Sequence, residues 1–290
     1  MKPLEYHAPG ALEDAVRLSA EAGASPLAGG TDLIVQHRMG RIEVAHMVDL
    51  KKIPELNVLE FDKKSGLRLG AAVPCAALAE CEPIGRLYPS LLEGAELIGS
   101  TQIQSRASVG GNLCNGSPAA DTICALIVLD AVCVIQGANG RREVAAKDFM
   151  TGPGETALKK GELLVEIRVP PPAPLSGNGY LRFIPRNEMD IAVVCVAAHL
   201  IFDKDRETCL DAKIAVGAAA PTPLLVEQAG QALIGSKLDE PALKAAAQAA
   251  SKAVRPIDDA RGTAEYRRHM AGVLTRRAVG MAVNRFKESG

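Results

Sequence analysis

Apolar and polar positions along the chain follow two different periods, which indicates a protein built from both helices and strands. Apolar residues recur at helical spacing from Leu12 to Leu18, and Gly23 is placed to end that helix. A second long helical pattern covers Thr263–Phe286, whereas Leu163–Val169 is a short, β-type apolar run that ends at a run of prolines. The other predicted elements are strands at 47–50, 67–71, 180–184, 191–202 and 209–217, helices at 74–78, 90–98, 117–130, 224–233 and 241–253, and a hairpin at 133–145. The pattern predicts an α+β protein.

The order of these elements also predicts a division into domains. The segment from Pro170 through Gly179 is rich in proline and glycine, which is typical of a linker. We therefore predict a first domain over 1–173, itself two-lobed with a split near residues 55–60, and a C-terminal domain of a sheet plus helices over 178–290. A chain of 290 residues has room for two or three such units.

Composition excludes several classes of partner. The net charge is −1, from 33 basic and 34 acidic residues without a basic run, so nucleic acid is not expected as a partner. No apolar stretch is long enough to cross a bilayer, and Met1–Gly10 lacks the apolar core of a secretory signal. We expect a cytoplasmic protein without a membrane span.

The potential metal ligands show no spacing that is typical of a metal site. The seven cysteines include no Cys-x-x-Cys pair, and reduced, mostly buried thiols are the simpler interpretation. The five histidines are scattered along the chain. The sequence therefore assigns a metal to none of these residues.

Two glycine pairs carry the candidate chemistry. Gly29-Gly30 is followed by Thr31-Asp32, and Gly110-Gly111 stands between Ser108 and Asn112. Glycine lets the backbone approach a ligand closely, and successive N–H groups form a concave binding site for an anion. Either pair alone could be a tight turn. Two pairs with similar polar neighbours in one domain favour the pyrophosphate of a dinucleotide.

A third glycine motif is a decoy. The segment 152–157 fits Gly-x-Gly-x-x-Gly/Ala, but the Rossmann site needs a strand before the motif and a long helix after it. Here Pro153 removes one amide donor, and Gly161 interrupts any following helix. We predict no Rossmann site.

Four segments together resemble a known family. They are Pro26–Leu33, Ser108–Leu113, Ser117–Asp121 and Arg186–Ala192, in this order along the chain. They are similar to the motifs of the flavin-binding medium subunit of the molybdenum hydroxylases, a family that includes xanthine dehydrogenase, aerobic carbon monoxide dehydrogenase and 4-hydroxybenzoyl-CoA reductase. The resemblance covers essentially the whole chain. The cysteine-rich insertion that holds an iron–sulfur cluster in the medium subunit of 4-hydroxybenzoyl-CoA reductase is missing from this sequence.

The resemblance implies FAD as the cofactor of this chain and assigns its contacts residue by residue. The implied contacts are Ala28, Gly29, Gly30, Thr31, Asp32 and Leu33 around the pyrophosphate and ribityl chain, Ser108, Gly110, Gly111 and Asn112 as the second phosphate loop, Asp121 at the adenosine ribose, Leu164 against the adenine, Cys114 against the isoalloxazine ring, and Arg182 or Arg186 near the flavin. A cation beside the flavin would stabilise its reduced, anionic form.

Several of these positions also have a plain structural interpretation. Asp121 could complement a helix dipole, and Arg186 could be a solvated surface charge. Leu164 belongs to a core strand in either case, and Cys114 could be a buried thiol away from the cofactor. No residue is assigned a catalytic role.

The resemblance further implies a multi-subunit oxidoreductase. A large subunit would hold the molybdenum cofactor, a small subunit would hold two 2Fe–2S clusters, and the complex would be a dimer of heterotrimers. Electrons would pass from the clusters to FAD on this chain and then to a terminal acceptor. Two alternatives remain open: a stand-alone FAD oxidoreductase of the same fold, and a flavin-free assembly subunit.

Overall fold

The fold is that of a computed structural model, which describes residues 4–187 and 189–288. Glu188, within the motif at 186–192, and the first three residues of the segment 1–10 lie outside the described residues. The strands are β1 (Glu5–His7), β2 (Ala24–Leu27), β3 (His46–Asp49), β4 (Leu59–Asp62), β5 (Gly66–Gly70), β6 (Val132–Gly137), β7 (Gly140–Ala145), β8 (Met150–Gly152), β9 (Glu155–Thr156), β10 (Leu163–Val169), β11 (Ser176–Phe183), β12 (Val194–Phe202), β13 (Cys209–Gly217) and β14 (Leu224–Leu225). The α-helices are α1 (Leu12–Ser19), α2 (Leu33–Arg38), α3 (Cys75–Ala79), α4 (Glu82–Leu87), α5 (Pro89–Glu96), α6 (Thr101–Gln104), α7 (Val109–Cys114), α8 (Ile123–Val128), α9 (Ala146–Phe149), α10 (Glu227–Gln231), α11 (Glu240–Ala253) and α12 (Ala264–Glu288). The predicted α+β class is confirmed.

A small parallel sheet opens the chain. Its strand order is β1-β3-β2, and both neighbour pairs are parallel. The apolar face of α1, with Leu12 and Val16, packs on this sheet beside the buried Val48. Leu163 and Val165 of β10 belong to the same apolar cluster, so the parallel sheet and α1 pack against the five-stranded sheet that contains β10.

The second sheet is antiparallel and has five strands in the order β4-β5-β10-β6-β7. Its central strand β10 is buried on both faces, which explains why its sequence is an almost continuous apolar run. Helices α3 to α8 and their buried residues, among them Leu91, Leu113 and Leu126, cover one side of this sheet.

The C-terminal part contains an antiparallel sheet in the order β11-β12-β13-β14. Small residues let α11 and α12 pack closely: a Cβ on Gly272 would lie 2.6 Å from the hydroxyl oxygen of Ser251. Ala246, Ala250 and Ala271 are fully or almost fully buried in this helical layer. On its other face the sheet meets α8, where the sulfur atoms of Cys124 and Cys195 lie 3.8 Å apart.

The predicted linker around Gly177–Gly179 is wrong, because these residues lie inside β11. A Cβ on Gly177 would lie 2.2 Å from the carbonyl oxygen of Ala282, so glycine is needed there for the close approach of α12. The domain boundaries at 173 and 178 stay a prediction.

Two predicted helix starts are also wrong. Ser117-Pro118 begins a turn, in which the Ala120 N–H donates to the carbonyl of Ser117, and α8 starts only at Ile123. The predicted helix at 224–233 begins instead as the short edge strand β14, because Leu224 pairs with Val216. Within residues 4–187 and 189–288, no helix has the length and apolar character needed to cross a membrane.

Candidate functional site

One large cavity lies where the parallel lobe meets the five-stranded sheet. Its volume is about 880 Å³, and its lining comes from the loop after β2, the start of α7, the segment 158–162 and the beginning of β10. The sequence-predicted residues that line it are Ala28, Gly29, Gly30, Thr31, Asp32, Leu33, Ser108, Gly110, Gly111, Asn112, Cys114 and Leu164. Residues that are up to 136 positions apart, such as Ala28 and Leu164, therefore line the same cavity.

The first glycine pair is shaped by two steric constraints. A Cβ on Gly29 would lie 2.0 Å from the carbonyl oxygen of Arg106, so this residue must be glycine for the loop after β2 to pass so close to the backbone just before Ser108. Gly30 has a φ of +73°, a left-handed conformation that glycine adopts without strain. Gly29-Gly30 therefore forms a tight turn and also lines the cavity, so both interpretations of this pair can hold together.

A lysine that sequence reasoning missed fixes this loop from behind. The Lys51 ammonium donates a hydrogen bond to the carbonyl oxygen of Ala28 at 3.0 Å. It also lies 2.6 Å from a carboxylate oxygen of Asp49, at the buried end of β3. In the sequence, Lys51 is marked only by its position in a pair of lysines directly after an apolar strand, and such pairs are common on protein surfaces.

The second glycine pair is part of a helix and not, as predicted, of a loop. Ser108 caps α7, and its hydroxyl oxygen accepts a hydrogen bond from the Gly111 N–H at 3.0 Å. A Cβ on Gly110 would lie 2.5 Å from the carbonyl oxygen of Ala71, so Gly110 serves the packing of α7 on the sheet. A Cβ on Gly111 would meet only the Ser108 hydroxyl at 3.1 Å and the Ala28 Cβ at 3.9 Å. Gly111 thus faces the cavity.

Asn112 is tied to the start of the next helix. Its side-chain oxygen accepts a hydrogen bond from the Thr122 hydroxyl at 2.9 Å. The amide group is therefore held at the cavity wall by a residue that is fully buried.

Two further lysines reach the cavity, and the sequence analysis did not assign them. Lys159 and Lys160 are both part of its lining. The segment is held by Glu162, whose carboxylate accepts from the Lys159 N–H at 2.7 Å and from Arg142 Nη2 at 2.6 Å. The hydrogen bond from Arg142 lowers the pKa of Glu162 to about 2, so this acid stays ionised. Gly161 has a φ of +79° and turns the chain into β10.

Cys114, at the end of α7, lines the same cavity and is half-buried. Burial raises the pKa of its thiol to about 12, so the neutral form is the stable one near pH 7. A protonated thiol is a small, soft, apolar group. The position suits packing against a ligand and does not suit nucleophilic chemistry.

Asp121 and Arg182 pair with each other. Arg182 Nη1 donates to Asp121 Oδ1 at 2.8 Å, and the two side chains are only 4% and 13% exposed. Burial raises the pKa of Asp121 to about 6, although the guanidinium opposes this shift. Among the described residues, neither belongs to the lining of the large cavity, so their contacts with FAD stay predictions.

Arg186 lies outside the cavity lining as well. Its side chain is 67% exposed and pairs with Asp190 at 3.2 Å, as expected for the solvated alternative. The nearby Ile191 does line the cavity, which brings the segment after β11 to the site. A role for Arg186 beside the flavin stays a prediction.

The residues present fit a dinucleotide cofactor. The volume falls in the range of about 300–1,000 Å³ that small-molecule and cofactor sites occupy. Two glycine segments meet at the cavity, two lysines supply positive charge, and Leu164 and Cys114 supply apolar surface. The segment Pro153–Gly154 makes the turn between β8 and β9, so a Rossmann strand–helix unit does not contribute.

Fold and site together define a dinucleotide-binding protein whose first part carries the cavity and whose C-terminal part is a sheet covered by helices. Residues 2–172 match the family described as the FAD binding domain in molybdopterin dehydrogenase, and residues 179–282 match the CO dehydrogenase flavoprotein C-terminal domain. The chain belongs to this family: it is an FAD-binding medium subunit of the molybdenum hydroxylases, and thus an oxidoreductase subunit.

Relatives and a solved structure match this chain over nearly its full length. The carbon monoxide dehydrogenase medium chain of Afipia carboxidovorans is 37% identical, with 98% of each chain covered. A putative xanthine dehydrogenase FAD-binding subunit of Escherichia coli is 32% identical over 96% of this chain and 95% of that one. The structure of reconstituted CO dehydrogenase from Oligotropha carboxidovorans superposes with a TM-score of 0.93 at 35% identity, covering 98% and 99% of the two chains.

Proposed function

We propose that this chain carries FAD and passes electrons within a molybdenum hydroxylase complex, without transforming the organic substrate itself. The observation that carries the proposal is the cavity in which Gly30, Gly111 and two lysines meet. When bound there, FAD supplies a redox centre that accepts and releases electrons. The chain's own residues bind it, orient it and exclude water.

We assign the binding roles as follows. The backbone of Ala28–Leu33 and of the first turn of α7 would hold the pyrophosphate through N–H donors, with Lys159 and Lys160 as the nearby cations. Leu164 would pack on the adenine and Cys114 on the isoalloxazine ring. The buried ion pair of Asp121 and Arg182 would position the site, because it ties β11 to the segment just before α8, next to Thr122, which holds Asn112.

The partners that we propose for this chain are a large subunit with the molybdenum cofactor and a small subunit with 2Fe–2S clusters. Two lines of support are the names of the relatives, which are medium chains and FAD subunits of such dehydrogenases, and the length of this chain, which matches theirs. We extend the proposal to a dimer of heterotrimers in the cytoplasm. The free state of all seven cysteines is consistent with a reducing compartment.

The test uses the complex that contains this chain. Flavin is stripped from the purified complex, and substrate is added under anaerobic conditions with an artificial electron acceptor. We expect that the iron–sulfur clusters are still reduced by substrate while the acceptor is not, and that added FAD restores its reduction. The isolated chain should bind about one FAD and show no hydroxylase activity.

Two results would contradict the proposal. Acceptor reduction that continues at the full rate without flavin would remove the chain from the electron path. An isolated chain that oxidises a small organic substrate would instead support a stand-alone flavoenzyme.

A further inference from the structure

A cluster of ligating side chains lies on the parallel sheet, outside the flavin cavity. Glu5 and His7 are on β1, and His46 begins β3. In the parallel register Glu5 is paired with His46, and Glu5 and His7 are two positions apart on one strand. Paired residues and residues at i and i+2 share one face of a sheet, so all three side chains project from the same side.

Their ligand atoms converge on one point. His7 Nε2 lies 3.4 Å from His46 Nδ1 and 3.7 Å from Glu5 Oε2, and His46 Nδ1 lies 3.5 Å from the same carboxylate oxygen. A tetrahedral ion with bonds of about 2.0–2.1 Å separates its ligand atoms by about 3.3–3.4 Å. The three distances are within a few tenths of an ångström of those edges.

A cation explains this arrangement better than hydrogen bonds alone. Two imidazole nitrogens and one carboxylate oxygen face each other. Ring protons on these two nitrogens could both point at Glu5, but distances of 3.7 and 3.5 Å to its oxygen are too long for good hydrogen bonds. A metal ion accepts a lone pair from all three at once. Both imidazoles are only about one quarter exposed, which limits the rotamers they can adopt.

A fourth residue stands where an outer carboxylate would be. Glu21 Oε2 lies 4.0 Å from His46 Nε2, the ring nitrogen that does not point at the other two ligands. This distance is longer than a hydrogen bond, so the Glu21 side chain would have to move toward the ring to fix the tautomer and orientation of His46, as carboxylates commonly do at zinc sites.

We propose that Glu5, His7 and His46 form a binding site for a divalent transition metal, with zinc as the best match, and that Glu21 orients His46. The donor set of two imidazoles and one carboxylate suits zinc, and the remaining coordination position is left for water. The spacing of 39 residues between the two histidines hides this site from a sequence search.

The site lies at the opposite end of the sheet from the flavin loop. His46 pairs with Ala24 at the start of β2, whereas the loop 28–33 follows the end of that strand. The separation is about four residues, or about 13 Å of strand. Ala24 also lines the cavity, so the metal would clamp β1 to β3 next to one residue of the cavity lining but away from the loop 28–33. This inference does not depend on the proposed function.

Zinc binding by the flavin-loaded chain tests the proposal. After chelator treatment the protein is dialysed against a series of zinc chloride concentrations, and the bound zinc is measured by inductively coupled plasma mass spectrometry. We expect one zinc per chain, an affinity at least about tenfold weaker in His7→Ala and in His46→Ala, and a loss of about tenfold in Glu21→Gln. Zinc should raise the melting temperature of the wild type but not of His46→Ala.

The matched control is His269→Ala, which removes an exposed histidine from α12 and should leave zinc binding unchanged. Flavin content checks that each variant is folded. Absence of zinc from the wild-type chain would overturn the proposal, and so would equal affinity in wild type and His7→Ala.

Discussion

Lys51 donates a hydrogen bond from its ammonium group to the carbonyl oxygen of Ala28, at a distance of 3.0 Å. The residue lies just beyond β3, whereas Ala28 opens the loop that lines the cavity. A hydrogen bond from a charged donor contributes about 1.5–3 kcal/mol. Lys51 therefore holds the loop 28–33 in the conformation seen here without belonging to the cavity lining.

We expect Lys51→Met to weaken FAD binding by about tenfold, which corresponds to about 1.4 kcal/mol. The measurement is a titration of flavin-stripped protein with FAD, followed by fluorescence. Lys52→Met is the matched control, because Lys52 is the adjacent lysine and is exposed. An unchanged FAD affinity in Lys51→Met would show that the loop keeps its shape unaided.

The pair of Asp121 and Arg182 predicts a dependence of stability on pH. Burial raises the pKa of Asp121 to about 6, above its ordinary value of 3.8. The folded state therefore favours the protonated carboxyl. The contribution of this protonated group to the free energy of unfolding is fully present below about pH 4 and is lost as the pH rises through about 6. The free energy of unfolding should therefore be lower by about 3 kcal/mol above pH 6 than below pH 4, from about two pKa units at 1.36 kcal/mol each.

Thermal melts of wild type and Asp121→Asn between pH 4 and 7 measure this contribution. We expect the melting temperature of the wild type, relative to the variant, to fall as the pH rises from 4 to 6. Asp148→Asn, which changes an exposed aspartate, should show no such trend. Arg182→Met should extend the fall to higher pH because it removes the opposing cation. A constant difference across the range would contradict the assignment.

The sequence predicts the elements with strong periodicity and misses those set by contacts between distant segments. The strand at Leu163–Val169 and the hairpin at 133–145 are found as predicted, because their patterns are local. Gly177, by contrast, reads as part of a linker, although glycine is required there by the close approach of Ala282 in α12, more than 100 residues later.

The site follows the same rule. The glycine pairs can be recognised because they carry their chemistry in adjacent positions. Lys51 and Lys160 cannot, since single lysines are common on protein surfaces and only the fold brings Lys160 to the cavity and Lys51 to the carbonyl oxygen of Ala28. For the same reason, the pairing of Asp121 with Arg182 across 61 positions has no signal in the sequence.

Cys114 provides a test of where the flavin ring lies. Its thiol lines the cavity, and we propose that it packs on the isoalloxazine ring. Cys114→Ile should keep FAD bound but shift its absorption bands or its midpoint potential, because the group in contact with the ring becomes larger and less polarisable.

Alkylation of the wild-type protein gives an independent measurement of the same contact. Cys114 should react slowly in the flavin-loaded protein and faster once FAD is stripped. Cys81 is the internal control, since it is also half-buried but does not line the cavity. Equal rates at Cys114 in both forms, together with an unchanged flavin spectrum in Cys114→Ile, would place this residue away from the ring.

The central claim is that FAD occupies the cavity at the start of α7, and the flavin content of Gly111→Val tests it most directly. A side chain at Gly111 enters the cavity, since its Cβ would have only Ser108 and Ala28 as near neighbours. Gly280→Val is the matched control: Gly280 is also a helical glycine, and a Cβ there meets nothing within 4 Å.

The ratio of FAD to protein is measured after purification, and circular dichroism checks that each variant is folded. We expect about one FAD per chain in the wild type and in Gly280→Val, and a loss of most of the flavin in Gly111→Val. Full flavin content in a folded Gly111→Val protein would contradict the account.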